Sequence, residues 1–189
     1  MDVTRPLLCD ANEAQLVIID LQTRLANAME EAERNSVIRN AGLLLQVAKL
    51  LEVPIIVSEQ YPKGLGGMDE SIRVMLPSEC NPLEKTSFSL SGNDEFESWL
   101  LTSRRAQYIL CGMEAHVCVL QTALDLCARG KQVFVVEDAV CSRLFANKQN
   151  ALHRLRQHGA IVTNTESVVL EWLRDAKHQF FKTVSSLIK

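Results

Sequence analysis

The strongest constraint on this chain is a set of short apolar runs at residues 16–19, 54–57, 107–111 and 132–136, with 160–163 as a fifth candidate. Each is too short for a helix and is apolar on both faces rather than at every second residue, the pattern of a strand covered from above and below. Between the runs lie segments with helical spacing. They carry Val37, Leu43, Leu44, Val47, Leu50 and Leu51, then Phe96, Trp99 and Leu100, then Val119, Thr122, Ala123, Leu126 and Cys127. Strands alternating with helices build a mostly parallel sheet with helices on both faces, so the expected fold is α/β and doubly wound. A further short strand is expected over residues 82–85, confined to a sheet edge by Pro77 and Pro82. After Asp175, the spacing of Phe180, Phe181, Val184, Leu187 and Ile188 predicts an amphipathic helix lying on the core or on another subunit.

The 189 residues are enough for one full core and fit one domain rather than two. A formal charge of −3 without a cluster of Lys and Arg removes the electrostatic basis for binding nucleic acid. No apolar run approaches the roughly 18 residues that cross a bilayer, so no membrane association is expected. The six cysteines are scattered, with no C-x-x-C pair and no secretory segment before them, which fits reduced thiols in the cytoplasm. Asp20-Leu21-Gln22-Thr23 stands where a dinucleotide-binding glycine loop would follow the first strand, and Gly64, Gly66 and Gly67 come after the second. No phosphate-loop motif occurs either, so neither kind of nucleotide cofactor is expected. His153, His158 and His178 lack metal-ligand spacing.

Ligands of open parallel sheets bind beyond the carboxyl ends of the strands. Three polar residues fall there: Asp20 after the first run, Lys85 after the short edge strand, and Cys118 a few residues past 107–111, at the start of a helix. A thiol in that place feels the positive end of the helix dipole and a nearby lysine, which favour thiolate. An aspartate can take the thiol proton and later return it to a leaving group. The turn over residues 112–118 leads into free helix N–H groups that suit an oxyanion. Singly, these residues read as a core cysteine, a capping aspartate and a solvated lysine; the conjunction points to chemistry. His116 lies two residues before the thiol and projects to another side of a helix, so it is read as pocket lining or cap rather than as the base.

Three segments carry a family likeness over nearly the whole chain: Val17-Ile18-Ile19-Asp20-Leu21-Gln22, Glu84-Lys85-Thr86-Ser87-Phe88-Ser89, and Gly112-Met113-Glu114-Ala115-His116-Val117-Cys118-Val119. In order and spacing they resemble the isochorismatase-like cysteine hydrolases, a group that includes nicotinamidases, carbamoylsarcosine amidases and isochorismatases. The segments 60–66 and 137–143 are most similar to the isochorismatase-domain-containing subgroup. The resemblance implies a triad of Asp20, Lys85 and Cys118, and a cis peptide at Met113-Glu114 that places the Glu114 and Cys118 amides as an oxyanion hole. It also implies a six-stranded parallel sheet in a Rossmann-like three-layer fold, residues 1–189 as one such domain, and a homo-oligomer. Nicotinamidases carry an Asp/His metal cluster after strand two. Here that stretch reads Ser58-Glu59-Gln60-Tyr61-Pro62 without a histidine, so no metal is expected and nicotinamidase activity is not.

The expected activity is hydrolysis of a small amide or similar carbonyl compound through a Cys118 thioester, with Asp20 moving protons, Lys85 holding thiolate and carboxylate in register, and no cofactor. Gln22, Glu59, Tyr61, Phe88 and His116 are the expected contacts to the small-molecule substrate, with Gln60 beside Glu59 as a further polar contact. Two alternatives stand beside it: vinyl-ether hydrolysis of the isochorismate type, with Asp20 as general acid and no covalent step, and a catalytically idle scaffold that binds a partner.

Overall fold

The computed structural model describes residues 8–188. Six strands, β1 (Ala14–Ile19), β2 (Ile55–Gln60), β3 (Leu83–Lys85), β4 (Gln107–Met113), β5 (Gln132–Cys141) and β6 (Ile161–Thr163), pair in the order β3-β2-β1-β4-β5-β6, and every pairing is parallel. The chain winds outward from β1 to one edge, then returns to β4 and winds to the other, which opens a crevice at the carboxyl ends of β1 and β4. The doubly wound sheet expected from the sequence is therefore present.

Alternation within each strand explains why the strands are apolar throughout. Leu16 and Ile18 of β1 join Val57, Ile109, Cys111, Phe134 and Val136 on one face. Val17 and Ile19 join Ile56, Tyr108, Leu110, Val133 and Val135 on the other. The first face is covered by α2 (Glu31–Leu50), α8 (Thr165–Leu173) and α9 (Phe181–Ile188). The second is covered by α5 (Asp94–Thr102), α6 (Leu120–Ala128) and α7 (Phe145–Gln157). One-turn helices α1 (Thr23–Ala26), α3 (Pro62–Leu65) and α4 (Glu70–Arg73) lie in the connections after β1 and β2. Side-chain caps start several helices: Glu30 accepts from the Glu33 N–H at 3.0 Å, Asn93 from Phe96 at 2.9 Å and Asn164 from Ser167 at 2.8 Å.

The tail helix α9 buries Val184 and packs against α2 and α8, so the core, not solvent, takes its apolar face. The structure departs from the sequence reading most at two strand ends, while β4 also runs on to Met113. β2 continues past Val57 through Ser58, Glu59 and Gln60, because these pair with Leu83, Glu84 and Lys85 of the edge strand. β5 continues past Val136 to Cys141, and its register against β4 shifts between Leu110 and Gly112.

Gly112 permits the close approach at the crevice. It stands opposite Ile19, its φ is +120°, and a Cβ there would lie 1.9 Å from the Ile19 carbonyl oxygen. No side chain fits without parting β1 from β4. Gly112→Ala is expected to lower stability by about 3 kcal/mol or more in urea titration. Gly159→Ala is the control: its φ is +86° but a Cβ meets nothing within 4 Å, so a cost of about 1 kcal/mol is expected. Equal losses would show that the contact with Ile19 is not what constrains residue 112.

Candidate active site

Asp20 follows β1 in the left-handed region at φ 51°, a conformation aspartate tolerates better than most residues. Its N–H donates to the Ser58 carbonyl at 3.1 Å. The carboxylate is buried and doubly held: Ser58 Oγ donates to Oδ1 at 2.7 Å and Lys85 Nζ to Oδ2 at 2.6 Å. Both side chains of the ion pair are 0% exposed.

Lys85 reaches this position by register. It ends β3 opposite Gln60, while Ser58 stands opposite Ile19, so three neighbouring strands bring their polar ends together. Besides Asp20, its ammonium donates to Gln60 Oε1 at 2.6 Å and to the Phe88 carbonyl at 3.0 Å, with the Ser87 carbonyl at 3.4 Å. Three N–H groups thus have three close oxygens, which makes a buried ammonium tenable. The loop supplying those carbonyls is tied to α6: Ser89 Oγ donates to Asp125 Oδ2 at 2.6 Å, and the Leu90 N–H donates to Thr122 Oγ1 at 3.0 Å.

Cys118 is 5% exposed, and its Sγ donates to Gln60 Oε1 at 4.0 Å. It does not begin a regular helix. Residues Ala115–Val119 form a π-helical turn ahead of α6, following a cis peptide at Met113-Glu114. The Val117 and Val119 N–H groups both donate to the Glu114 carbonyl, at 3.0 and 3.3 Å, so they are not free donors as expected of a fresh helix start. The thiol also differs from the expected thiolate. Burial pushes its pKa up to about 12; the Asp20 charge adds to the rise, and Lys85 opposes it without overcoming it. The resting sulfur keeps its proton.

The remaining candidates separate into two groups. Tyr61 and Phe88 are each 54% exposed. Gln22 is fully buried and spends its amide on the backbone, donating to the Gln60 and Gly66 carbonyls at 3.0 and 2.6 Å and accepting from the Gln60 N–H at 2.7 Å. Glu59 accepts from the Met68 N–H at 2.7 Å. The His116 ring is turned to Ser142, with Nδ1 2.9 Å from its Oγ, and Nε2 lies 3.5 Å from Asn147 Nδ2. The Glu114 carboxylate takes the Arg143 N–H at 3.0 Å and its Nε at 3.2 Å. Ser58 was not singled out from the sequence, and Gln60 was read as a substrate contact rather than as a partner of Lys85 and Cys118. The available signal was the polar triplet 58–60 directly after an apolar strand. Among the described residues, no group of three His, Cys, Asp or Glu side chains is arranged to hold a metal ion.

A doubly wound sheet with a buried Asp–Lys pair and a cysteine at its carboxyl edge places the chain among α/β proteins of the Rossmann-like type. The Isochorismatase domain profile matches residues 14–167, and the chain belongs to the isochorismatase family. Isochorismatase domain-containing protein 2 of Danio rerio is 38% identical over 173 residues, covering 92% of this chain and 85% of that protein. Its Homo sapiens counterpart is 38% identical over 176 residues, covering 92% and 82%. Among solved structures, the MAR1 ribonuclease from Caenorhabditis elegans superposes with a TM-score of 0.89 at 36% identity, covering 96% of this chain and 92% of that chain.

Two outcomes follow from the geometry. Removing the cation in Lys85→Ala leaves Asp20 buried without its counter-charge, and a loss of about 3–5 kcal/mol is expected in denaturant unfolding; a loss under about 1 kcal/mol would mean the pair is solvated. In the unmodified protein, iodoacetamide alkylation of Cys118, followed by peptide mass, is expected to rise by about tenfold per pH unit through neutrality and beyond. A plateau near neutral pH would contradict the protonated resting thiol.

Proposed function

We propose that the chain is a hydrolase of one catalytic domain in which Asp20, Lys85 and Cys118 cleave a small amide or similar carbonyl compound through a thioester. The observation that carries this reading is the buried Asp20–Lys85 pair, 2.6 Å apart, meeting Cys118 across the Gln60 carboxamide. Cys118 Sγ attacks the carbonyl carbon as its proton passes to Asp20, whose two carboxylate oxygens each retain a lone pair beyond the bonds from Ser58 and Lys85. The Glu114 and Cys118 amides receive the oxyanion. Asp20 returns the proton to the departing nitrogen, leaving an acyl-sulfur bond. Water then attacks the thioester, Asp20 takes its proton, and the acid departs as sulfur regains hydrogen. Each turnover consumes one amide and one water and needs no cofactor.

A proton held until substrate arrives suits this scheme, because Asp20 sits ready to receive it only when attack begins. Tyr61 and Phe88, exposed beside the site, form the substrate wall in this reading. Glu59 and His116 are approached by the substrate, and Gln22 holds the loop beneath it. The family name and the relatives support hydrolysis in general. The worm relative is described as a ribonuclease, but the charges that act on the thiol here are one aspartate and one lysine, which suits a neutral carbonyl better than a phosphodiester. Six free cysteines fit a reducing cytoplasm, and among the described residues no helix is long and apolar enough to cross a membrane.

The test is intact mass after incubation with a panel of small amides and carbamoyl compounds. An acyl adduct that is absent in Cys118→Ala supports the scheme. Turnover retained in Cys118→Ala but lost in Asp20→Asn would move the assignment to vinyl-ether chemistry, and no turnover with any compound would favour the idle scaffold. Self-association is part of the proposal: Leu144 and Phe145 stand exposed side by side at the start of α7. Light scattering is expected to give a mass above the 21.2 kDa of one chain; a monomer at all concentrations would overturn that part.

A further inference from the structure

Charges are sorted by sign along the amino ends of the strands, the edge of the sheet opposite Asp20, Lys85 and Cys118. Helices α5, α6 and α7 run back along the sheet and end where β4, β5 and β6 begin, and these three connections carry Arg104, then Arg129 and Lys131, then Arg154. Because β4, β5 and β6 are neighbours, cations far apart in sequence form one row, and Lys131 Nζ donates to the Arg105 carbonyl at 3.3 Å. The other half of the edge is acidic, with Asp10 and Glu13 before β1 and Glu52 before β2. Singly, cations suit helix C-termini. Glu52 follows the last turn of α2 with the opposite sign, so helix dipoles do not account for the division. Arg129 pairs with Glu97 at 2.6 Å, and Lys49 near Glu52 gives its ammonium to the Met75 carbonyl at 2.7 Å. Among the described residues, the side chains of Arg104, Arg154, Glu13 and Glu52 have no hydrogen-bond or ion-pair partner. Leu101, in the last turn of α5, is 86% exposed, more than any other large apolar side chain described.

We propose that this edge is a self-complementary docking surface for a second copy of the chain. The boundary between its acidic and basic halves falls between β1 and β4, the two central strands of the six. A two-fold axis placed there, running along the strands, exchanges β1 with β4 and β2 with β5 between the copies. Glu13 of each copy then faces Arg104 of the other, and Glu52 faces Arg129 and Lys131. The same rotation turns over the faces of the sheet, so the ends of α5, α6 and α7 on one copy meet the end of α2 on the other. Leu101 adds an apolar contact within the row. A second copy fits this edge better than a polyanion, which would meet like charge along the acidic half. The proposal extends the self-association inferred from Leu144 and Phe145, which lie at the start of α7 and so at the opposite end of the sheet, and it does not depend on the role of Cys118.

The experiment is sedimentation equilibrium of the full chain with a charge swap. Between about 50 mM and about 500 mM sodium chloride the association constant is expected to fall by about tenfold or more, because salt screens exposed charges. Arg104→Glu alone and Glu13→Arg alone are each expected to weaken association by about tenfold or more at low salt, since each sets like charges together at two symmetric contacts. An equimolar mixture of the two variants is expected to recover it, because the new Glu of one meets the new Arg of the other while the second contact stays native. Association that ignores salt and both substitutions, weakening that mixing does not reverse, or a single-chain mass at low salt overturns the inference. Leu144→Ser combined with Phe145→Ser is expected to leave the salt-sensitive step in place; its loss there, with no effect of the charge reversals, would assign association to the apolar surface alone. Both swapped positions are exposed, and thermal melting checks that the variants fold; Arg104→Asp and Glu13→Lys replace one that does not.

Discussion

Lys85 and Asp20 meet in the interior with neither side chain touching solvent, and an ammonium in such a place requires an oxygen for each of its N–H groups. That requirement organises the surroundings. Asp20 supplies one oxygen, Gln60 another, and the chain after β3 turns its Phe88 carbonyl inward as the third. Ser58 completes the other carboxylate oxygen. Replacing the pair with apolar side chains would be the simpler way to stabilise a core, since desolvating two charges offsets much of their attraction. Its presence at a strand-end crevice beside a cysteine is therefore best understood through chemistry rather than stability.

The sheet makes the meeting possible. Parallel pairing aligns the ends of β1, β2 and β3, so residues separated by 65 positions along the chain become hydrogen-bond partners. On the other side of β1, Gly112 lets β4 come close enough for its Cα to stand against the Ile19 carbonyl, and the π-helical turn then returns Cys118 toward Asp20. The same turn engages two N–H groups with the Glu114 carbonyl and leaves sulfur in a dry setting. There, burial and Asp20 outweigh Lys85. In the proposed scheme this means that the thiol keeps its proton beside Asp20 until a substrate carbonyl is present.

Much of this was legible from residue pattern. Apolar runs with no alternation identified strands buried on both faces, and Asp20, Lys85 and Cys118 stood out because each follows such a run. The reading stopped short at Ser58 and Gln60, which are polar residues at the end of an apolar run and look like the start of a loop. They belong to the strand because β3 pairs with them, and β3 itself is only three residues long. The thiol was misjudged for a related reason. A helix start and a nearby lysine argue for thiolate, but the balance depends on burial and on the Asp20 charge beside the sulfur, which together outweigh the lysine.

What the sequence by itself determined is the layered α/β architecture and the identity of the three residues at the strand ends, because hydrophobic periodicity and residue chemistry are local properties. What only the tertiary structure decided is how those residues act on one another. The proton on Cys118, the division of Lys85 between Asp20 and Gln60, and the turning of His116 toward Ser142 depend on distances and desolvation across strands far apart in the chain. Electrostatic interactions change steeply with both, so composition and spacing alone do not set them.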